Sequence, residues 1–336
     1  MKREAVWEAI HHVERERVPY NIELTGEELE RVCTYAGIDR EVFFDWAGNH
    51  IEKLAYNGSG QYIREGFFRD VFGVVWNRTG TDKDIGVVDD IILKAPSVKG
   101  YRFPEPDLKK VKRDTEKLLE NGRDTFKLGK IGMTYFERAW SLRGMENLLM
   151  DFYLEPSFVE ALLEAILDYN LKVIDVAVQY DIDGFYFGDD YGQQTGLLMS
   201  PETWRRFIKP GLAKMFERVK GAGKVIALHS CGNIEAILGD LIDIGLDIYQ
   251  TLQPEVYDVE RIKREYGKHL TFWGGISTQQ LLPYAKPDGL RKAVRDIIGK
   301  LSVGGGYIAS PTHQVPADVP PENILALVEI LRDGSM

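Results

Sequence analysis

The sequence predicts an α/β protein formed as a single domain, residues 1–336, whose parallel strands close into a (β/α)8 barrel, the TIM-barrel architecture. From residue 107 onward, short apolar runs alternate with longer amphipathic ones, the pattern of strands covered on both faces by helices. About seven or eight such strand–helix units can be counted, which suits a closed barrel better than an open sheet. No Gly-rich phosphate-binding turn follows a first strand, so an open dinucleotide-binding sheet is the runner-up.

Composition narrows the class. The 336 residues are 44% hydrophobic and 28% charged, which supplies a large core. No apolar run approaches the roughly 20 residues that cross a bilayer, and the start, MKREAVWEAIHHVERERVPY, lacks the apolar centre of a signal peptide. Two cysteines cannot form a disulfide framework, so a reducing cytoplasm is the expected location. A net charge of −10 argues against nucleic acid. It also disfavours a polyanionic substrate unless the pocket is locally basic.

Taken in order, residues 2–14 read as a helix, with Ala5, Val6, Ala9, Ile10 and Val13 on one face and His11 and His12 solvated or partly packed. Arg17–Ile22 leads into a first strand, and Glu27–Ala36 is a helix in which Cys33 packs as a small hydrophobe. Residues 40–106 read as an irregular insertion of loops and short strands, with Arg69–Trp76 as one strand, able to form a lid or one wall of a cleft. A helix follows at 107–121, a strand at 126–133, and helices at 136–150 and 156–180. The next strand, Gly184–Gly188, ends in Asp189-Asp190. Ser200 caps a helix that opens with Pro201 and that Pro210 should kink or split. Strands at 224–229, 247–252, 270–274 and 306–310 then alternate with helices at 234–243, 257–266, 288–301 and 321–332.

In a barrel, reactive residues sit at the C-terminal ends of strands. There the chain places Asp189, Asp190, Tyr191, Gln193 and Gln194, then His229 and Cys231, then Gln250 and Gln253, then Ser277, and last Thr312, His313 and Gln314. Residues two apart in an extended segment point the same way, so His229 and Cys231 can share a target. Zinc takes such nitrogen and thiolate donors, and a catalytic site leaves one position open. His313, at the last strand end, is the expected third ligand, with neighbouring carboxylates in reserve. A packed histidine bonded to the backbone is the plain alternative. Asp189 and Asp190 could orient substrate, act as an acid–base pair or support a ligand, with Tyr191 beside them; a helix cap or a solvated loop is the other reading. Gln193, Gln250 and Gln253 could hydrogen-bond a polar cofactor or substrate.

Six segments carry a resemblance to a known family: ERERVPY, FERAWSLRGMENLL at 136–149, SPETWRRFIKP at 200–210, HSCGN at 229–233, FWGGIST at 272–278 and GGGYIASPTHQVPADVPPENI at 304–324. Together they resemble the uroporphyrinogen decarboxylase superfamily over nearly the whole chain, and within it the branch of cobalamin-linked methyltransferases. The decarboxylases carry an arginine-rich RQAGRY segment near the N-terminus that grips the porphyrinogen carboxylates. Here the matching stretch is YNIELTGEELE, with no arginine until Arg31. The methyltransferase branch uses His-x-Cys and a distant Cys as zinc ligands. His229 and Cys231 match that motif; at the distant position this chain reads SPTHQVP, which puts His313 in place of the cysteine.

The resemblance therefore implies a zinc-dependent enzyme that moves a methyl group between methylcobalamin, held by a corrinoid-binding partner protein, and a small thiol or other acceptor. The alternatives are a metal-independent decarboxylase using Asp70, Asp189 or Tyr191, and a module that binds the corrinoid protein without catalysis.

Overall fold

The computed structural model describes residues 1–80 and 86–334, with no helix among them long and apolar enough to cross a membrane. Residues 81–85 of the expected insertion therefore lie outside the described residues. The chain divides into two compact units. A central unit holds Lys53–Gly122 and Leu128–Leu246; a terminal unit holds Met1–Glu52, Arg123–Lys127 and Asp247–Met336.

The central unit is built on three parallel strands, β1 (Phe126–Gly132, of which Leu128–Gly132 belong to this unit), β2 (Gly184–Gly188) and β3 (Val225–His229). Their register sets two rungs on one face: Lys130, Tyr186 and Ala227, then Gly132, Gly188 and His229. The opposite face is apolar and takes the helices. Phe187, fully buried, packs with a tilted ring 5.4 Å from that of Phe216 on the helix Lys209–Gly221. Burying such a ring contributes about 2–3 kcal/mol. The longest helix, Pro156–Ala177, starts on a proline that needs no N–H there and buries Val159, Leu162, Ile166, Val173 and Ile174. Ser200 caps as expected, its hydroxyl accepting from Thr203 N at 3.1 Å, and Pro210 does split the helix, into Pro201–Phe207 and Lys209–Gly221.

Several expectations need correction. The helix at 136–150 is two, Phe136–Arg143 and Met145–Leu154, because Gly144 adopts φ 85 and ψ 138. The insertion is shorter than 40–106. Arg40–Ala47 is a helix closed by Gly48 in the left-handed region, and Ile51–Ala55 is a strand beside β1. Beyond it, Gln61–Arg64, Phe67–Arg69, Val75–Asn77 and Val87–Val88 form an antiparallel sheet. Arg69–Trp76 is thus a hairpin and not one strand. Asp70 makes the turn: its Oδ1 accepts from both Phe72 N and Val74 N at 3.0 Å. Its Oδ2 takes Trp76 Nε1 at 3.1 Å and the buried Arg138 guanidinium at 2.6 Å, which ties the hairpin to the helix after β1.

The terminal unit carries β4 (Ile248–Leu252), β5 (Thr271–Ile276) and β6 (Tyr307–Pro311), again parallel. The expected first strand at Arg17–Ile22 is reduced to isolated parallel bridges, Tyr20 to Ala309 and Leu24 to Val315. Two local facts explain this. Pro19 has no N–H to give. The backbone of Ile22 is occupied by the Asn49 amide, which accepts from its N–H at 2.9 Å and donates to its carbonyl at 2.8 Å. The N-terminal helix stops at Ile10 and not at residue 14, since His12 turns into the left-handed region at φ 56. Cys33 is buried, as its place on the helix Gly26–Ala36 requires.

Candidate metal centre

β3 ends on His229, and Cys231 follows after one residue. The alternation of an extended chain turns both to one side: Cys231 Sγ lies 3.4 Å from His229 Nε2. Asp190 completes the contact. Its Oδ1 accepts from Cys231 N at 2.8 Å and sits 3.4 Å from His229 Nε2. Two glycines make this approach possible. A Cβ at Gly232 would lie 2.4 Å from the Gly192 carbonyl carbon, and one at Gly192 would lie 2.7 Å from the Cys231 carbonyl oxygen. The touching turns are joined by Asn233 N to Gln193 O at 2.8 Å. Buried Ser230 links them again by accepting from Tyr191 N at 3.0 Å.

Asp189 does different work from its neighbour. Fully buried, it accepts from Phe136 N at 2.9 Å and Glu137 N at 2.7 Å, so a strand-end carboxylate caps the helix Phe136–Arg143, whose own N-cap position, Tyr135, supplies no side-chain bond. Burial pushes its pKa up to about 6, and the two N–H donors oppose that rise. Tyr191 is buried alongside. Desolvation and then the Asp189 charge keep its hydroxyl protonated, although that hydroxyl makes no hydrogen bond of ordinary geometry.

The same cap brings in Glu137, which the sequence reading passed over. Burial, and next the Asp190 and Asp189 carboxylates, hold its pKa well above the ordinary range. Its signal was its place: it lies just past the end of β1, on the first turn of a helix that follows a strand. Cys231 is raised too, by burial and by the Asp190 and Glu137 charges. A thiol among carboxylates, with an imidazole against it, is an arrangement that a bound cation would relieve. Within the central unit, His229 and Cys231 offer a metal an imidazole and a thiol, donor types that suit zinc.

Of the remaining predicted residues, Gln193 is exposed on the small hairpin of Gly192–Gln193 and Gly196–Leu197. Gln250 and Gln253 are buried in the terminal unit, on β4 and just beyond it. His313 is exposed in the loop after β6.

Known proteins resemble this chain in two directions. A uroporphyrinogen decarboxylase of Psychromonas ingrahamii is 23% identical over 211 residues, 60% of this chain and 56% of its own. The methylcobamide:CoM methyltransferase MtaA of Methanosarcina barkeri is 30% identical over 132 residues, 39% of this chain and 36% of its own. The chain thus spans about half the length of the first relative and about a third of the second. A solved methyltransferase from Methanosarcina mazei, 20% identical, covers 99% of this chain and 98% of its own with a TM-score of 0.72, which shows a shared fold. The family description that matches residues 133–334, more than half of the chain, is uroporphyrinogen decarboxylase (URO-D). The chain belongs to the URO-D superfamily, with likenesses that run to the cobamide methyltransferases as well as to the decarboxylases.

Proposed function

We propose that the protein is a zinc-dependent methyltransferase on a closed (β/α)8 barrel, with His229, Cys231 and His313 holding the metal. A small thiol fills the fourth position and takes a methyl group from a corrinoid carried by a partner protein. The observation that carries this reading is the 3.4 Å approach of Cys231 Sγ and His229 Nε2 at the end of β3, in a setting of buried carboxylates. The methyl transfer that the name of the MtaA relative describes supports the direction of the chemistry.

Bound zinc supplies one thing, a lowered pKa for a coordinated thiol. The chain's own residues do the rest. Asp190 fixes the turn that presents Cys231 and stands against the His229 ring. Asp189 holds the neighbouring helix, and with it Glu137, in place, and the buried Tyr191 ring packs against Phe136 on its first turn. A corrinoid on the partner protein would supply the methyl group, and the acceptor thiol would have to lose its proton to take it, beside His229 and Cys231. Gln193, Gln250 and Gln253 are assigned to polar contacts with the substrate or the corrinoid.

The decarboxylase reading draws on the decarboxylase relatives. Against it, Asp70, an acid it would use, has both oxygens taken by four donors in the hairpin. Metal analysis separates the two. The purified protein should hold about one zinc per chain, lost in Cys231→Ser; full zinc in the variant would overturn the ligand assignment. Turnover of uroporphyrinogen by the metal-stripped protein, with no methyl transfer from methylcobalamin to any thiol, would favour the decarboxylase.

A further inference from the structure

Residues 99–117, on the outside of the central unit, hold seven cations against four carboxylates, on a chain whose net charge is −10. The carboxylates are already engaged. Glu105 pairs with Lys172 at 2.8 Å, and Asp114 pairs with Lys110. Glu116 accepts from the Tyr180 hydroxyl at 3.1 Å, and Asp107 caps the helix Leu108–Glu120 by accepting from Lys110 N at 3.0 Å. Lys109, Lys112 and Lys117, with Lys99 and Arg102 before them, are exposed and meet no carboxylate among the described residues. The positive charge of this stretch is therefore left facing outward.

Lys109, Lys112, Arg113 and Lys117 recur at intervals of three and four and share the exposed side of the helix; Val111 and Thr115 are buried on the other. The helix itself gains nothing from its first cations. Its first turn has no acid, its start is the positive end of the macrodipole, and Lys109 and Arg113, four apart, repel. Cations that oppose their own helix and pack on nothing answer to a charge outside the chain. The patch also lies toward the end of the strands that carries His229. Asp107, at the helix start, is within electrostatic reach of Tyr169, as are Asp70 and Arg138, and Arg138 belongs to the helix that Asp189 caps.

We propose that the exposed face of the helix Leu108–Glu120, with Lys99 and Arg102 before it, docks the acidic surface of a partner protein. Charge complementarity selects that class of partner over a nucleic acid or a membrane. Beyond about one Debye length, roughly 8 Å at physiological salt, an extended polyanion meets the repulsion of a chain with net charge −10. Along the helix it would run from Lys109 and Lys112 onto the exposed Glu116 and Glu120. A folded partner can set carboxylates against the first half of the helix and leave the second half to neutral or basic groups.

The test uses the full-length protein and a labelled helical peptide with glutamates at intervals of three and four, read by fluorescence anisotropy. A second peptide has glutamine at the same positions. At low salt the glutamate peptide should bind at least tenfold more tightly than the glutamine one, and salt raised to about 0.5 M should remove most of the difference. The double variant Lys109→Glu, Lys112→Glu should weaken the glutamate peptide tenfold or more. Lys268→Glu with Lys292→Glu, an equal change of net charge at exposed sites elsewhere, should leave it within twofold. The first double variant should unfold at the same urea concentration as the wild type or a higher one, because acids suit the start of a helix.

Equal affinity of the wild type for the two peptides would overturn the proposal, and that result does not depend on any variant folding. An equal loss in both double variants would assign the attraction to net charge and not to this face, and would overturn it too. Heparin and phosphatidylserine vesicles stand for the extended polyanion and the membrane. Tighter binding of either than of the glutamate peptide, lost in Lys109→Glu, Lys112→Glu, would overturn the partner class. None of these readings needs zinc or methyl transfer, so they stand or fall apart from the methyltransferase reading.

Discussion

Asp189 shows how one carboxylate can be buried without an ionic partner. Its two oxygens take the two N–H groups that begin the helix Phe136–Arg143, which replaces a cap that Tyr135 cannot make. Asn in its place has one acceptor and turns an amide N–H toward a backbone N–H. Asp189→Asn should therefore lower unfolding stability by about 2–3 kcal/mol, measured by urea titration. If the proposed zinc site is correct, it should also lower zinc affinity, because Glu137 and the Cys231 setting move with that helix. An unchanged urea midpoint would refute the capping role. The adjacent pair Asp189-Asp190 looks uniform in sequence, yet one residue points into the helix and the other onto Cys231. His229 and Cys231 were readable because the period of an extended chain is a local property. Glu137 had only its place after β1 as a signal; what brings it to the site is Asp189 at the end of a distant strand, which accepts from its N–H.

At the scale of elements, local pattern succeeded where each run had its own cap or breaker. Ser200, Pro201 and Pro210 mark two helices by residue type alone. Local pattern failed at Tyr20–Ile22, where the apolar run is strand-like but Asn49 takes the backbone of Ile22. It failed again at Arg69–Trp76, whose alternation hides a turn made by Asp70. The N-terminal helix ends against a loop about 290 residues away: His12 packs on Gly305 and Gly306, which with Gly304 before them all have positive φ. At Gly305, φ is +73 and a Cβ would lie 2.4 Å from the His12 carbonyl carbon. Gly305→Ala thus combines an unfavourable backbone with a clash against main chain, and should cost about 2–4 kcal/mol. Gly304→Ala, where a Cβ meets nothing within 4 Å, carries the backbone strain alone and should cost less. Equal losses from chemical denaturation would show that the His12 contact contributes nothing.

For the whole molecule, acid acts through groups of opposite sign. His50 is held neutral: burial, then the Lys2 charge, depress its pKa from 6.5 to about 4, and its ring packs edge-on to Tyr20 at 4.6 Å. A depressed value means that the unfolded chain binds the proton first, so the stability His50 contributes is complete above about 6.5 and is lost as pH falls through about 4. Asp189 runs the other way. Its raised value, about 6 against 3.8, makes the fold tighter as pH falls through that window, which offsets part of the loss. The wild-type pH profile alone therefore understates both. Comparison with His50→Phe, which keeps a ring against Tyr20 and removes the titration, isolates the first. Between pH 7 and pH 4 the wild type should lose roughly 3 kcal/mol more than the variant, measured from urea midpoints on metal-free protein. Parallel profiles would mean that the His50 ring is hydrated in the folded chain; the buried carboxylates Glu28 and Glu137 could not supply the acid sensitivity in its place, because their raised values predict the opposite slope.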